Sequence, residues 1–190
     1  MKSGRFNITV GLIFILLAGG WSVRSYAMVE HRFARTYMSK DYLTNGIFTG
    51  GQSSTSSTSF SILGIRRIYA ARQKIERVVI KLGDDKGHPL IDKVSYFHVA
   101  INDHLPRIEM DLSQTVASNV NEQKLKKIFL GSPYVKSAQI NFDPTDMSMT
   151  IQLRLKKPVE AEVFELKRKN SAGKIVLDMK ALTGRSARAS

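Results

Sequence analysis

From Phe60 onward the sequence consists mainly of short segments in which apolar and polar side chains alternate, separated by turn-forming residues. Because successive side chains of a β-strand point to opposite faces, this period of two is typical of strands with one buried and one exposed face. The alternation predicts eight strands, at 61–69, 76–82, 95–101, 107–112, 135–142, 149–155, 161–167 and 174–179. The chain is therefore expected to be an all-β protein.

One segment, 119–130, departs from this alternation. Its apolar residues recur at helical spacing: Leu125, Ile128 and Phe129. Asn119 and Glu122 are spaced to form a capping pair, and Gly131 is expected to end the helix. The sequence thus predicts four strands, one short helix and four further strands.

The two groups of four strands resemble each other in sequence. PRIEMDL (106–112) and GKIVLDM (173–179) share a basic residue, alternating apolar residues and an aspartate one position before the end. When the sequence is aligned with itself so that Asp111 matches Asp178, three further pairs match: Phe97 and Phe164, Val99 and Leu166, Arg107 and Lys174. We call this displacement along the chain the first shift. A slightly longer shift, which we call the second shift, superposes these pairs: Ile62 and Val135, Ile80 and Leu153, Lys81 and Arg154. The repetition predicts a β-sandwich of two similar four-stranded halves.

The composition divides the chain into four parts. Residues 1–27 combine Lys2 and Arg5 with an apolar stretch and small residues at a cleavage point, which is typical of a signal peptide, or of a signal anchor if uncleaved. Residues 28–59 end in a Gly/Ser/Thr run and are expected to form a flexible linker. The β domain is expected at 60–182, followed by a disordered basic tail at 183–190. Export implies a periplasmic location, with membrane contact only through an uncleaved signal segment.

The absence of cysteine excludes thiol catalysis, disulfide bonds and thiolate metal sites. The formal net charge of +13 favours anionic partners such as a carboxylate-bearing cell-wall polymer. Export makes nucleic acid the least favoured of these partners. We therefore expect an anionic polymer as ligand and no nucleic acid.

The strands also resemble the AMIN domain, whose opening strand ends in arginine and is followed by an arginine-valine strand, with later strands ending in an aspartate-leucine pair. These features correspond to Ile65-Arg66, Arg77-Val78-Val79-Ile80, Ile108-Glu109-Met110-Asp111-Leu112 and Ile175-Val176-Leu177-Asp178-Met179. The resemblance covers about 60–182. It implies a β-sandwich found in periplasmic amidases and type IV pilus secretins, where the domain targets peptidoglycan and is not catalytic.

One feature departs from this resemblance, and one segment also resembles a second family. The tryptophan that often follows the opening arginine in amidase members is replaced by Arg67-Ile68-Tyr69. The segment 125–161 also looks like the second half of a POTRA domain, a protein-docking module of exported assembly factors. The alternative function is therefore docking to a pilus, secretin or other envelope complex.

Neither a metal site nor catalysis is expected. The histidines His31, His88, His98 and His104 are scattered, with no pair at ligand spacing, so no metal or other cofactor is predicted. Asp111 and Asp178 would lie in different halves, which separates them rather than pairing them as hydrolytic carboxylates. We interpret both as solvent-side or strand-end residues that accept a hydrogen bond, and expect no enzyme activity.

Basic and aromatic residues on the strands are the candidate ligand-binding groups. An arginine fork binds a carboxylate through two parallel hydrogen bonds, and tyrosine faces suit sugar rings. The candidates for peptidoglycan binding are Arg66, Arg67, Tyr69, Arg77, Tyr96 and Arg107. The alternative for Arg66, Arg77 and Arg107 is a structural role, in which they keep a sheet soluble and pair with Glu76, Glu109 or Asp111.

Overall fold

The computed structural model describes residues 42–52, 59–91, 93–167 and 170–182. The expected signal segment 1–27 and basic tail 183–190 lie outside the described residues. Within the described part, no helix is long and apolar enough to cross a membrane. The elements are β1 (Gly46–Gly50), β2 (Phe60–Ala70), β3 (Ile75–Asp84), β4 (Phe97–Asn102), β5 (Arg107–Leu112), β6 (Thr115–Ser118), α1 (Glu122–Phe129), β7 (Val135–Asp143), β8 (Ser148–Leu155), β9 (Val159–Leu166) and β10 (Lys174–Ala181).

The strands form two five-stranded sheets. The first sheet has the order β1-β4-β5-β8-β7, and the second has the order β6-β2-β3-β10-β9. Neighbouring strands are antiparallel except for β2 and β6, which are parallel. All eight strands and the helix predicted from the sequence are present, which confirms a mostly β protein. Each sheet has five strands because β1 and β6, which the alternation did not predict, each add an edge strand.

Strand β1 lies inside the segment expected to be a flexible linker. It pairs with β4 over five residues, so the described residues 42–52 belong to the folded domain and its expected start at 60 is wrong. A Cβ on Gly50 would lie 2.5 Å from the Phe97 ring, and one on Gly51 would lie 2.0 Å from the Ser95 carbonyl oxygen. The glycines that suggested flexibility are therefore required by the close approach of β1 to the chain at β4.

The apolar sides of both sheets share one hydrophobic core. Side chains with no measurable or almost no exposure come from central strands of each sheet, including Ile80, Ile108, Leu153 and Ile175. Helix α1 adds Leu125 and Phe129 to the same core. Since each sheet turns one face to this core, its other face points outward.

Helix α1 begins two residues later than the capping pair predicted. The Asn121 side chain accepts a hydrogen bond of 2.9 Å from the backbone N–H of Lys124, so Asn121 is the cap. The predicted cap, Asn119, instead donates its backbone N–H to the Ile62 carbonyl at 2.9 Å. Asn119 is thereby held against the edge of β2, and the helix starts after this contact ends.

The first two strands of each group of four have the same irregularities. The pairing of β2 with β3 shifts register between Ile62 and Gly64, and that of β7 with β8 shifts between Val135 and Ser137. Lys74 and Met147, in the turns that follow, both have a positive φ, at 54° and 49°. The second shift relates each pair of positions, as the sequence alignment predicts.

The central strand pairs also correspond in register. Lys81 lies opposite Lys174 and Ile80 opposite Ile175 where β3 meets β10. Where β8 meets β5, Arg154 lies opposite Arg107 and Leu153 opposite Ile108. The second shift takes Lys81 to Arg154 and Ile80 to Leu153. The first shift takes Arg107 to Lys174 and Ile108 to Ile175.

The predicted equivalence of Phe97 with Phe164 is wrong. Phe97 lies opposite Leu112, and the counterpart of Leu112 under the first shift is Met179. The residue opposite Met179 is Ala161. The counterpart of Phe97 is therefore Ala161 and not Phe164. These two residues of β9 are an odd number of positions apart, so their side chains point to opposite faces of the strand. Phe97 accordingly lies in the core, whereas Phe164 lies on the outer face.

The predicted equivalence of Val99 with Leu166 is wrong for the same reason. Val99 lies opposite Met110, whose counterpart under the first shift is Leu177. The residue opposite Leu177 is Val163, which belongs to the core as Val99 does. The first shift thus relates β5 to β10, but a shorter shift relates β4 to β9.

Candidate functional site

The six residues predicted to bind peptidoglycan do not form one site. Arg66 and Arg77 lie on the outer face of the second sheet, whereas Arg67 and Tyr69 lie on the opposite side of β2. Tyr96 precedes β4, and Arg107 begins β5 of the first sheet. Arg66, Tyr69 and Tyr96 are exposed, but on three different parts of the surface.

Arg77 has a structural role, because it is buried in an ion pair. Its Nε and Nη2 donate hydrogen bonds of 2.7 and 2.6 Å to the two carboxylate oxygens of Asp178. The guanidinium carbon also lies 5.6 Å from the centre of the Phe164 ring. Asp178 is 3 % exposed, so the expectation that it faces solvent is wrong. Alternation shows which face a side chain is on, but not whether other chain segments cover that face.

Tyr42 lies near this ion pair. Burial raises the pKa of the Tyr42 hydroxyl well above its ordinary value, and the carboxylates of Asp178 and Glu162 raise it further. The Lys180 ammonium lies 3.9 Å from the centre of the Tyr42 ring and 2.9 Å from a Glu160 carboxylate oxygen. This part of the outer face is therefore occupied by contacts within the chain.

Arg67 also has a structural role, since it connects β2 to the end of α1. It donates from Nε to the Ile128 carbonyl at 2.7 Å and from Nη2 to the Leu130 carbonyl at 3.1 Å. Its Nη1 pairs with Glu76 at 2.8 Å. Glu76 has no exposed surface and also accepts a 2.7 Å hydrogen bond from the Ser132 hydroxyl. Glu76 thus pairs with Arg67, whereas the structural alternative anticipated a pair with Arg66, Arg77 or Arg107.

The outer face of the first sheet is polar and open. We call it the polar face; its side chains are half-buried or exposed. It consists of the outward residues of four adjacent strands: His98, Asn102, Arg107, Glu109, Asp111, Gln139, Asn141, Thr150, Gln152 and Arg154. Among the six predicted residues, Arg107 is the one that belongs to it.

Hydrogen bonds fix the acidic groups in the middle of the polar face. Gln152 donates from Nε2 to Glu109 at 3.1 Å, and Thr150 donates its hydroxyl to Asp111 at 2.7 Å. His98 lies opposite Asp111, with its Nδ1 3.7 Å from a carboxylate oxygen. Asp111 is thus held at the surface by neighbours across the strands, as expected for a hydrogen-bond acceptor on the solvent side.

Two shallow depressions lie on either side of Glu109. The larger has a volume of about 500 Å³, and Phe142, Asn141 and Gln152 help to line it. The smaller has a volume of about 290 Å³ and is lined by residues that include Arg107 and Asn102. Phe142 is 45 % exposed, so part of its ring is available to a ligand.

This arrangement has the chemistry of a polar binding surface. Amide and hydroxyl groups offer donors and acceptors, an aromatic ring offers an apolar platform, and Arg107 offers a charged fork. The residues described here include no group of three histidine or acidic side chains placed to hold a metal ion. Asp111 and Asp178 lie in different sheets, on β5 and β10.

Sequence reasoning missed most of the polar face. Two correctly predicted strands carry Asn141, Thr150, Gln152 and Arg154 at alternate positions. The six selected candidates were instead arginines and tyrosines of other segments. The signal was the row of uncharged amide and hydroxyl residues on the outward positions of both strands. No such pattern marked Phe142. The alternation of side chains along β7 places it on the core side, and it is exposed because it lies close to the end of the strand.

The chain matches no protein-family model, and none of the curated proteins is significantly similar to it in sequence. Its function is therefore inferred from the geometry of the polar face.

Proposed function

We propose that this protein is an exported, non-catalytic module of the cell envelope that binds peptidoglycan through the polar face. The observation that carries the proposal is the larger depression, which Asn141, Gln152 and Phe142 help to line and at which Phe142 is 45 % exposed. A sugar ring needs an apolar platform and directional polar partners, and this depression supplies both. Peptidoglycan also carries peptide carboxylates, which suit a chain with a net charge of +13.

We further propose that the fold is of AMIN type, a sandwich of two similar four-stranded halves with β1 and β6 as additional edge strands. In support, the bulges, the positive-φ turn residues and the central registers correspond under constant shifts. Each half then contributes one hairpin to each sheet. The polar face is built from the second hairpin of the first half and the first hairpin of the second half.

Co-sedimentation with insoluble peptidoglycan tests the proposed function. The purified protein should sediment well above a similarly basic control protein. Phe142→Ala combined with Gln152→Ala should weaken binding roughly tenfold, which corresponds to about 1.4 kcal/mol. Tyr69→Ala is the matched control, because Tyr69 is exposed to a similar extent but lies away from the polar face.

Sedimentation no greater than that of the basic control would contradict peptidoglycan binding. Such a result would favour the alternative, docking to a protein of an envelope complex. Equal binding by the double variant and Tyr69→Ala would instead place the glycan contact outside the polar face.

A further inference from the structure

Two pairs of like charges face each other across neighbouring strands. Arg107 lies directly opposite Arg154 in the first sheet, and Lys81 lies directly opposite Lys174 in the second. Directly opposed residues have Cβ atoms about 4.5–5.5 Å apart, and like charges at this spacing destabilise a sheet. A bound anion would offset this repulsion at each pair.

The described part of the chain supplies no such anion to either pair. None of the four side chains has an ion pair or hydrogen bond among the described residues. Arg107, Arg154 and Lys81 are exposed, and Lys174 is half-buried. Glu109 is the nearest acidic residue along β5, but its carboxylate accepts from Gln152 and lies beyond ion-pair distance of both arginines.

The arginine pair lies within a row of hydrogen-bond donors. Asn102 is opposite Arg107 on one side, and Ser137 is opposite Arg154 on the other. Arg107 also helps to line the smaller depression, which gives a ligand access to it. Two adjacent guanidinium forks can each form parallel hydrogen bonds with carboxylate oxygens.

The two pairs occupy corresponding positions. The first shift takes Arg107 to Lys174, and the second shift takes Lys81 to Arg154. The sheets share one core, so their outer faces point in opposite directions and the pairs lie on opposite sides of the domain. Lysine acts as a point charge rather than a fork, so the second-sheet pair should bind more weakly.

We infer that Arg107–Arg154 and Lys81–Lys174 are two carboxylate-binding sites, one on each sheet, and that one molecule can hold two polymer segments at once. The identity of the carboxylates rests on the proposed function: they are the free carboxylates of peptidoglycan peptides. Two sites on opposite faces would connect neighbouring segments, whereas the glycan depression alone would hold one.

Three double variants of the full chain with equal loss of charge test this inference. Arg107→Gln/Arg154→Gln should weaken co-sedimentation with peptidoglycan about tenfold, and Lys81→Gln/Lys174→Gln about threefold, because a guanidinium fork makes two charge-assisted hydrogen bonds where an ammonium acts as a point charge. The control is Lys136→Gln/Lys157→Gln, which removes two exposed lysines outside both pairs and should change binding less than twofold. Amidating the carboxylates of the peptidoglycan should abolish the differences. Equal binding by all three variants would overturn the inference.

A second measurement reports on the number of sites. The unmodified protein should agglutinate peptidoglycan fragments, which is measured as turbidity. Lys81→Gln/Lys174→Gln should still bind, about threefold more weakly, but should lose agglutination because only one carboxylate site remains. Agglutination by this variant equal to that of the control would overturn the two-site inference.

Glu109→Gln removes the negative charge nearest to the bound carboxylate and should strengthen binding about twofold.

Soluble N-acetyl-D-alanyl-D-alanine separates failure of this inference from failure of the proposed function. Its carboxylate should shift the backbone NMR signals of both pairs even if insoluble peptidoglycan is not bound; in that case the proposed function fails and the carboxylate sites remain. Strong sedimentation that is insensitive to both pair variants would leave the function and overturn the sites. Phosphatidylglycerol vesicles that bind in a pair-dependent manner, while peptidoglycan does not, would identify a lipid phosphate as ligand and overturn the assignment to carboxylates.

Discussion

Asp111 and Asp178 occupy corresponding positions in β5 and β10, but their surroundings differ. Asp111 is half-exposed and accepts from Thr150, whereas Asp178 is buried and paired with Arg77. Thr150 and Arg77 also correspond, by the second shift. The same strand position therefore carries a surface hydrogen bond from a hydroxyl in one sheet and a buried ion pair in the other.

These two aspartates form a matched pair for a stability experiment. Asp178→Asn should reduce the free energy of unfolding by about 3–5 kcal/mol, because it breaks the buried ion pair between Asp178 and Arg77. Asp111→Asn should reduce it by at most about 1 kcal/mol, since its partner is a hydroxyl at a solvated surface. Chemical denaturation at neutral pH measures both losses. Equal losses would contradict the buried role of Asp178.

Tyr42 should make stability sensitive to alkaline pH. Its pKa is raised in the folded protein, chiefly by burial, whereas in the unfolded chain it is about 10. The folded state therefore favours the protonated phenol. The contribution of Tyr42 to the free energy of unfolding is complete below about pH 10 and is lost as the pH rises above that value. Tyr42→Phe should flatten the fall in the free energy of unfolding between about pH 10 and 12. Parallel curves for the two proteins would contradict this prediction.

At the scale of elements, β1 is the clearest case of a strand that depends on tertiary contacts. Its segment, GIFTG, has three strand-forming residues between two glycines, and glycine is depleted in strands. It is held by pairing with β4, by Phe48 packing on the core and by a hydrogen bond from the Gly51 backbone N–H to Glu165. The first sheet gains an edge strand because these contacts exist together.

Gly51→Ala should detach β1 from β4. Gly51 has a φ of +83°, and an added Cβ would lie 2.0 Å from the Ser95 carbonyl oxygen. Gly87→Ala is the matched control, since Gly87 has a φ of +81° but no atom within 4 Å of the added Cβ. The control should lose about 1 kcal/mol from backbone strain, and Gly51→Ala distinctly more. Hydrogen exchange should increase in β1 and β4 of Gly51→Ala alone; similar exchange in both variants would show that the close contact is unimportant.

At the scale of the whole molecule, the basic charge should make binding depend on salt. The net charge is +13, and exposed charges interact weakly beyond a Debye length of about 10 Å at 0.1 M salt and 3 Å at 1 M. Binding to peptidoglycan should therefore fall steeply over this range. The contact made by Phe142 is apolar and should persist, so the Phe142→Ala effect should keep its size at high salt. Binding independent of salt would contradict an electrostatic contribution.

Much of the fold was predictable because the signals are local. All eight alternating segments are strands, and β5 has the predicted limits, 107–112. The helix and the second shift were also predictable, since periodicity and repetition are written along the chain. The alignment of β9 was not, because Phe164 and Ala161 give equally plausible alignments until pairing with β10 selects one.

The candidate site was less predictable than the strands. Of the six predicted residues, Arg107 lies on the polar face, while Arg67 and Arg77 are occupied by internal contacts. The opposition of Arg107 to Arg154 depends on two strands that are far apart in the sequence, as the pairing of β5 with β8 shows. Composition predicted a basic binding surface of arginine and tyrosine residues, but it did not predict which of these residues lie together.

The sequence by itself determined the strands, the helix, the alternation of faces and the repeat, because these depend on neighbouring residues. Tertiary structure decided that β3 pairs with β10 and β5 with β8, and that β1 and β6 extend the sheets. It also decided that Asp178 is buried while Asp111 remains at the surface. The physical reason is distance along the chain: Arg77 and Asp178 are 101 residues apart, and only the packed sheets bring them together.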